Sequence, residues 1–546
     1  MSHSAPLRRL IGVRAHSITE RLETAIARTR AGARATRAVQ ELRGRVVPTH
    51  WSSLFGVVTV SSLATVFVSG IVLMFFYAPS SQLVTYHGGY APLDGATMST
   101  AYRSVLDLSL GTPGGLLLRQ VHHWSALLLP VAVTAQLLAT FFTGGFRRPR
   151  QWAWLVLVAI FVVTLAAGWS GYGLPDDMLA GTGLRIVQGI VVAIPVLGAW
   201  VSSVLFGGEF PGTIIEHLYP IHLLASAALL ALVALRGRMA WRHGPTQFPG
   251  PGRSDDVVVG VPMLPTGAAR AAGLGAAVAA VLVIVGAAFT IAPIWVYGPS
   301  SPSDASAGSQ PDWYTGFLDG ALRLVPPGWE VQIGGYTLTL AVLVPLAVVG
   351  IFLLMLAVYP FLELWAVGDR RAHRLLERPR STPVRTGIGV AGMAFYGALW
   401  GAASADILAV RFGMSVETVV RVFQVLLVAG PVIGFALAER ICIALQKRDR
   451  EVALHGFETG RIVRMPGGRY VEIHRPVDRY ERFRLLAVEP APDVPVRPDR
   501  RGRLRRSLRM RAALVHVLFQ DRLAPPTRDE LAAIEREEGA EELTAA

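Results

Sequence analysis

Long apolar runs separated by shorter polar stretches are the dominant pattern of this chain. Eight of these runs have about the 20 residues that a helix needs to cross a membrane. They cover residues 52–77, 114–142, 152–172, 213–240, 270–297, 337–360, 386–410 and 418–442. A ninth uncharged run, Ile186–Phe206, contains Pro195 and several glycines, and we expect it to form helices lying on the outer face. The pattern predicts an all-α integral membrane protein with eight transmembrane helices.

The charges between the spans predict their orientation. With eight spans, the arginine-rich loops at 147–150, 242–270 and 370–385 fall on the same side as the basic N-terminus and the arginine-rich C-terminal tail. The opposite loops carry the acidic residues Asp94, Asp107, Asp176, Asp177, Glu209, Asp304, Asp312 and Asp319. Because Lys and Arg are retained on the cytoplasmic side, both termini are expected in the cytoplasm. A ninth span would destroy this asymmetry.

Composition agrees with a membrane protein and narrows its chemistry. The chain has 546 residues, 52% of them hydrophobic, and a net charge of +14. Its single cysteine, Cys442, excludes an internal disulfide, a thiolate cluster and covalent CxxCH haem attachment. A metal site must therefore use histidine or carboxylate. We expect no cleavable signal peptide, and membrane lipid rather than nucleic acid as the partner of the basic surface.

Four parts are expected along the chain. They are a basic N-terminal arm (1–50), a four-helix core (51–245), a second membrane domain (246–444) with a long outer loop (298–335), and a basic cytoplasmic tail (445–546). In the arm, Leu7, Leu10, Ile11 and Ile18 could form one face of a helix on the membrane surface, or the arm could be disordered. In the tail, Pro466, Gly467 and Gly468 predict a turn, and Thr527 with Glu530 predicts a capping box.

Two histidines inside the apolar runs are the candidate cofactor ligands. His122 and His222 lie near the outer ends of spans two and four, where ionisable groups are costly and usually functional. Two imidazoles from facing helices can hold a haem iron. Arg119 could pair with a propionate, and Gly56 and Gly70 share nearly one face of span one, where glycine admits a flat macrocycle. The alternative is that these are packing glycines and satisfied core histidines.

Seven motifs then point to a family. They are RQVHHWSALL, FFTGGFRRPR, GYGLPDDMLAGTGLR, LFGGEFPG, TQFPGPGR, PIWVYGP and SAGSQPDWY. Over residues 50–475 the chain resembles the cytochrome b subunit of the actinobacterial cytochrome bcc (menaquinol:cytochrome c reductase) complex. The resemblance implies two stacked b haems in the four-helix core, four further helices, and an outer menaquinol-oxidation pocket capped by residues 311–314. It also implies a Rieske-type iron–sulfur subunit, a c-type cytochrome subunit, and a homodimer within a respiratory supercomplex of the cell membrane.

Departures from the family pattern cluster at the inner haem. The second family histidines of spans two and four are replaced by Gln136 and Arg236. Ala139 replaces a propionate-binding arginine, and Leu157 replaces a glycine that faces the inner haem, whereas the outer glycine is kept as Gly171. Gln and Arg are poor haem ligands, and a leucine would fill macrocycle space. We therefore expect one b haem, at the outer site, and no second haem.

The resulting hypothesis is a divergent cytochrome b subunit that oxidises menaquinol at the outer pocket. Asp312 and Tyr314 are the candidate polar groups at the quinol hydroxyl, in proton-accepting and hydrogen-bonding roles. The alternative is a haem-poor structural or assembly paralogue without quinol turnover. The kept histidines favour the first hypothesis, and the altered inner positions favour the second. For Asp406, placed within the seventh span, a proton-path role and an ion pair within the bundle both stay open.

Overall fold

The structure is a computed structural model that describes most of the chain. The described residues are 29–208, 212–301, 306, 309–369, 371–478, 481, 485, 506–524, 526–527, 529–530, 532–533 and 536. The arm positions Leu7, Leu10, Ile11 and Ile18 lie outside these residues, as do Glu209 and Asp304 of the acidic loops.

Helices make up most of the described chain. They are α1 (Arg30–Gly44), α2 (Leu54–Leu73), α3 (Thr100–Leu106), α4 (Gly115–Phe142), α5 (Gln151–Gly173), α6 (Met178–Val192), α7 (Gly198–Phe206), α8 (Ile214–His243), α9 (Ala268–Ala288), α10 (Ile294–Tyr297), α11 (Gly316–Arg323), α12 (Leu340–Val367), α13 (Pro383–Ala402), α14 (Ala405–Phe412), α15 (Val416–His455) and α16 (Arg506–Phe519).

The described strands are short and pair into antiparallel two-stranded ribbons. They are β1 (Val46–Val47) with β4 (Val261–Pro262), β2 (Leu83–Thr85) with β3 (Thr97–Ser99), β5 (Glu330–Ile333) with β6 (Tyr336–Thr339), and β7 (Phe457–Arg464) with β8 (Tyr470–Arg475). The expected turn at Pro466–Gly468 joins β7 to β8, where the Gly468 N–H donates to the Met465 carbonyl over 2.9 Å.

Seven of the described helices are long and apolar enough to cross a membrane, namely α2, α4, α5, α8, α9, α12 and α15. α13 and α14 together give an eighth candidate span, with a bend of 69° between them. The predicted all-α membrane fold is therefore confirmed, with seven unbroken candidate spans and an eighth, predicted at 386–410, that is bent after Ala402. α6 and α7, which cover the ninth apolar run, have 15 and 9 residues and are each too short to span.

The bend places Asp406 in a polar cluster rather than in the middle of a span. Its Oδ1 lies 3.1 Å from Nη1 of Arg323, and its Oδ2 accepts a 2.8 Å hydrogen bond from Nε2 of Gln310. A carboxylate inside a continuous apolar span would lack such partners and would be costly. Of the two hypotheses for Asp406, the structure therefore contains the ion pair.

Four helices form the core that holds the candidate site. α2 packs along α4, α5 packs along α8, and α4 contacts α5, so the two pairs face each other. α9 covers α2 and α4, α12 packs on α5, and α13 packs on α11 and α15. Large buried side chains between the helices include Leu129, Val133, Trp154, Leu157 and Phe161. Because helix association in lipid relies on close packing, these contacts fix how the helix faces meet.

The two ends of this bundle differ in their charged groups. We call the end that carries Arg119, His122 and His222 the histidine end, and the end that carries Arg147 and Arg385 the arginine end.

At the arginine end, buried ion pairs bind the tail to the membrane domain. The Arg385 guanidinium pairs with Glu363 and Glu377, and Arg147 and Arg522 also pair with Glu377. α15 runs across residue 445, the boundary that the sequence suggested for the tail.

Beyond Arg522, the expected capping box is present. The Thr527 N–H donates to Glu530 Oε2 over 2.8 Å, and the Glu530 N–H donates to Thr527 Oγ1 over 3.2 Å. Two otherwise unpaired backbone donors are thereby satisfied reciprocally.

Candidate functional site

His122 on α4 and His222 on α8 line one cavity of about 410 Å³ at the histidine end. The cavity lies within the four-helix core, and its walls also include Gly70 of α2 and Gly171 of α5. Helix packing therefore brings together His122, His222 and Gly70, which the sequence placed at the outer site, and Gly171, which the family resemblance placed there.

Hydrogen bonds hold both histidine rings through Nδ1. His222 Nδ1 donates to the Ala167 carbonyl over 2.9 Å and lies 3.3 Å from Ser170 Oγ. A carbonyl can only accept, so the proton of a neutral His222 ring is on Nδ1 and the Nε2 lone pair is free. Holding one ring nitrogen in this way fixes the orientation in which the other can bind a metal.

The His122 ring is held in the same manner. Ser69 Oγ donates its proton to the Thr65 or Val66 carbonyl, at 2.7 and 3.0 Å. Its oxygen is then left to accept from His122 Nδ1, 3.1 Å away. The Nε2 atom of His122 is again the free nitrogen, so the two rings present matching lone pairs.

Glycines give the two rings and the neighbouring tyrosine their space. A Cβ at Gly70 would lie 3.0 Å from Cε1 of His122, and a Cβ at Gly171 would lie 2.8 Å from Cε1 of His222. A Cβ at Gly168 would lie 2.5 Å from the hydroxyl of Tyr314. Side chains at these positions would push the rings out of place, which explains why glycine occupies them.

Arg119 is a buried cation on the wall of the same cavity. Its side chain is 8% exposed, and its Nη2 donates to the Ala292 carbonyl over 2.9 Å. Its Nε is buried and, among the described residues, has no hydrogen-bond partner. A buried, unpaired guanidinium N–H is a ready donor for an anionic group in the cavity.

Asp312 and Tyr314 meet at this cavity, as the sequence hypothesis requires. The Tyr314 hydroxyl donates to Asp312 Oδ2 over 2.6 Å. Burial, followed by the charge of Asp312, raises the pKa of Tyr314 well above its ordinary value, so the phenol stays protonated. The segment is anchored by Trp400, whose Nε1 donates to the Trp313 carbonyl over 2.8 Å. His123 also lines the cavity.

Several site residues were missed from the sequence, although one signal could have found two of them. Ser69 and Ser170 each directly precede a site glycine, so the pair Ser-Gly occurs once in α2 and once in α5. Tyr172 and Asp177 also line the cavity. Tyr172 lies in the last turn of α5, whereas the position of Asp177 depends on how the loop after α5 folds back, which no local pattern indicates.

The positions predicted for an altered inner haem site lie elsewhere. A Cβ at Gly56 would lie 3.4 Å from Nε2 of Gln136, so this glycine accommodates the amide and does not line the histidine cavity. Leu157 is 0% exposed within the hydrophobic core. Arg236 Nη1 donates to the Ala153 carbonyl of α5 over 3.0 Å. Ala139 lines a second cavity, of about 940 Å³, at the arginine end.

Comparisons with known proteins agree with this architecture. Residues 127–299 match the family described as cytochrome b(N-terminal)/b6/petB. The cytochrome bc1 complex cytochrome b subunit of Streptomyces coelicolor is 42% identical over 447 residues, covering 82% of each chain. That of Mycobacterium bovis is 43% identical over 443 residues, covering 81% of this chain and 80% of the relative.

A solved structure shares the fold at lower sequence identity. The chain is similar to one of a hyperthermophilic respiratory complex III, with a TM-score of 0.56 and 19% identity, covering 76% of this chain and 97% of that chain. Together with the extensive sequence identity to actinobacterial relatives, these comparisons show that the chain belongs to the cytochrome b subunits of bc1-type respiratory complexes, a family that implies haem b.

Proposed function

We propose that this cytochrome b oxidises menaquinol at the histidine end and retains a single b haem, held by His122 and His222. The observation that carries the proposal is the pairing of these two rings. Each is fixed through Nδ1 and leaves Nε2 free, and both line the cavity that contains Asp312 and Tyr314. One cavity thus combines an axial ligand pair with polar groups suited to a quinol hydroxyl.

The residues around the rings fit a haem. Gly70 and Gly171 accommodate the imidazole rings that would hold the iron, and the unpaired Nε of Arg119 suits a propionate. A b haem bound there supplies a one-electron acceptor close to the quinol.

Asp312 and Tyr314 would handle the quinol hydroxyl. Tyr314 occupies Oδ2 of Asp312, which leaves Oδ1 to accept the hydroxyl proton. The high pKa of Tyr314 keeps the phenol a donor, so it holds the carboxylate in place rather than competing for the proton. Asp312 is therefore the proton acceptor and Tyr314 the residue that orients it.

The proposal of one haem is supported by the contents of the inner site. Gln136 packs against Gly56, Leu157 is fully buried, and Arg236 is bonded to a backbone carbonyl. None of these side chains is a good iron ligand, and the fully buried Leu157 occupies space that a macrocycle would need. The second electron of the quinol then has no inner haem to be transferred to. Either it leaves by another route, or the ordinary two-haem cycle does not run.

The orientation and partners follow from the same account. We place the histidine end outside and both termini in the cytoplasm of a cell-membrane protein, because the arginine-rich loops share one side. The relatives belong to a bc1 complex. Within such a complex we expect a Rieske-type iron–sulfur subunit and a c-type cytochrome subunit as partners, and a homodimer.

Addition of menaquinol to the anaerobic purified complex tests the proposed activity. We expect a b-type absorbance to appear in wild type, and to appear much more slowly in Asp312→Asn, which keeps the bond from Tyr314 but lowers proton affinity. Dithionite should reduce both proteins to the same final spectrum. A dithionite spectrum without any response to menaquinol in wild type would favour the structural or assembly role.

A further inference from the structure

Asp177 is a second carboxylate on the wall of the histidine cavity. It is 4% exposed, and it caps α6, where its Oδ1 accepts the N–H groups of Leu179 and Ala180 over 3.0 and 3.1 Å. Among the described residues, no side chain forms a hydrogen bond or an ion pair with it. Capping explains one oxygen of this carboxylate, and the other is not used by the fold.

Charged and titratable groups face Asp177 from every element packed around it. They are Arg119 on α4, Tyr102 on α3, Tyr172 on α5, Tyr297 on α10 and the neighbouring Asp176. Arg119 is the cation of this group, and it is also the buried residue whose Nε lacks a partner among the described residues. The pocket therefore holds an unpaired donor and a partly used acceptor on the same wall, which indicates that a polar ligand or water belongs between them.

Asp176 directly precedes Asp177 in the chain, at the histidine end. It is a non-glycine residue with φ +54°, a conformation that is uncommon and clusters at functional positions. Its carboxyl group lies near the Ser99 side chain and within electrostatic reach of Glu216. Glu216 in turn accepts 2.7 Å hydrogen bonds from the N–H and Oγ of Ser81 and is only partly buried.

We propose that Asp177 and Asp176 form the exit route for protons released in the histidine cavity, and that Glu216 delivers them to the outer surface. The inference rests on the proposed quinol oxidation. At each transfer an O–H bond breaks on the proton donor, and an O–H bond forms on the accepting carboxylate. The donor is the quinol, protonated Asp312 or an intervening water. No electron moves along this route.

The electrostatics of the two carboxyls suit this task. Burial raises the pKa of Asp177, and Arg119 opposes that shift. Burial also raises the pKa of Asp176 to about 6. Groups that titrate near the working pH take up and release protons most effectively. Below its pKa, Asp176 stays protonated and cannot accept, so turnover should fall as the pH falls through about 6.

Asparagine substitutions remove the proton acceptors and keep the local backbone. Asp177→Asn retains an oxygen that can cap α6, since Asn and Asp are equally good N-caps. Asp176→Asn tolerates the same positive φ. The matched control is Asp107→Asn, which changes an exposed carboxylate at the same end that does not line the cavity. All three variants are measured as the assembled complex in native membranes.

We expect Asp177→Asn and Asp176→Asn to lower the kcat for menaquinol oxidation by roughly ten- to a hundredfold. KM, the reduced spectrum and the haem-to-protein ratio should stay at wild-type values, and Asp107→Asn should behave as wild type. In Asp176→Asn the acid limb of the pH profile should disappear. A merely structural role would alter haem content or KM and would leave that limb in place.

Wild-type kcat and an unchanged acid limb in both variants would overturn the exit route. If Asp177→Asn loses haem, Asp176→Asn decides, because Asp176 does not line the cavity. A slow enzyme with full haem then supports the route, and a normal rate refutes it. Failure of the wild type to oxidise menaquinol at all would instead refute the proposed function on which the route depends.

Discussion

At the scale of single residues, the hydrogen bonds of a buried polar side chain determine which of its atoms stay free to bind a ligand. Ala167 and Ser69 fix His222 and His122 with Nε2 free. At the other end, Arg236 uses its guanidinium on the Ala153 carbonyl. An arginine within the bilayer costs about 2.5–3.5 kcal/mol on insertion scales, and such a bond offsets part of that cost. The two histidines each keep a free Nε2 for a ligand, whereas the Arg236 guanidinium already donates to a backbone carbonyl.

We predict that the double variant Gln136→His, Arg236→His will not acquire a second haem. The new imidazoles would supply ligands, but Leu157 stays fully buried where clearance is needed, and Ala139 supplies no propionate donor. The measurement is the haem-to-protein ratio with the reduced spectrum. The matched variant adds Leu157→Gly and Ala139→Arg, and a second haem in that variant alone would support the argument from space. A second b-type absorbance already in the double variant would contradict it.

At the scale of helices, the spans were predictable because apolar length alone selects them. Helix α8 begins and ends within a few residues of the predicted span 213–240. The bend after Ala402 was not predicted, although Gly401 directly precedes it. Asp406, in the segment after the bend, contacts Arg323 and Gln310, which are distant in sequence and approach it only in the folded chain.

The site was predictable to the same extent. His122 and His222 were recognised as ionisable groups inside apolar spans and Gly70 from helical spacing, whereas Gly171 came from the family resemblance; all four line the cavity. Ser69 and Asp177 act across helices and loops, and their roles appear only once the facing surfaces are known.

The charges of the loops between the helices also predict the orientation of the chain in the membrane. We expect Gln332→Cys, exposed on β5, to react with a membrane-impermeant maleimide in intact cells. Lys447→Cys, exposed near the end of α15, should react only after permeabilisation. Both are made in a Cys442→Ser background, which removes the buried native thiol. The reasoning is the arginine asymmetry of the loops, and the reverse labelling pattern would show that the orientation is inverted.

At the scale of the whole molecule, the two ends of one bundle have diverged. The histidine end keeps a cavity of about 410 Å³ with two free ring nitrogens, a buried arginine and carboxylates. At the positions predicted for an inner haem, Leu157 is fully buried and Arg236 donates to a backbone carbonyl, and the arginine end is joined to the tail by buried ion pairs through Arg522. We therefore expect this cytochrome b to function with one haem, at the end where we propose that quinol is oxidised.

The ratio of haem b to protein in the purified complex tests this central claim most directly. A pyridine haemochrome assay against the concentration of this subunit should give a value near one, because His122 and His222 are the one histidine pair that we propose as axial ligands. A value near two would contradict the account, since it would require a haem between Gln136 and Arg236. A value near zero would contradict the redox role and favour the structural or assembly paralogue.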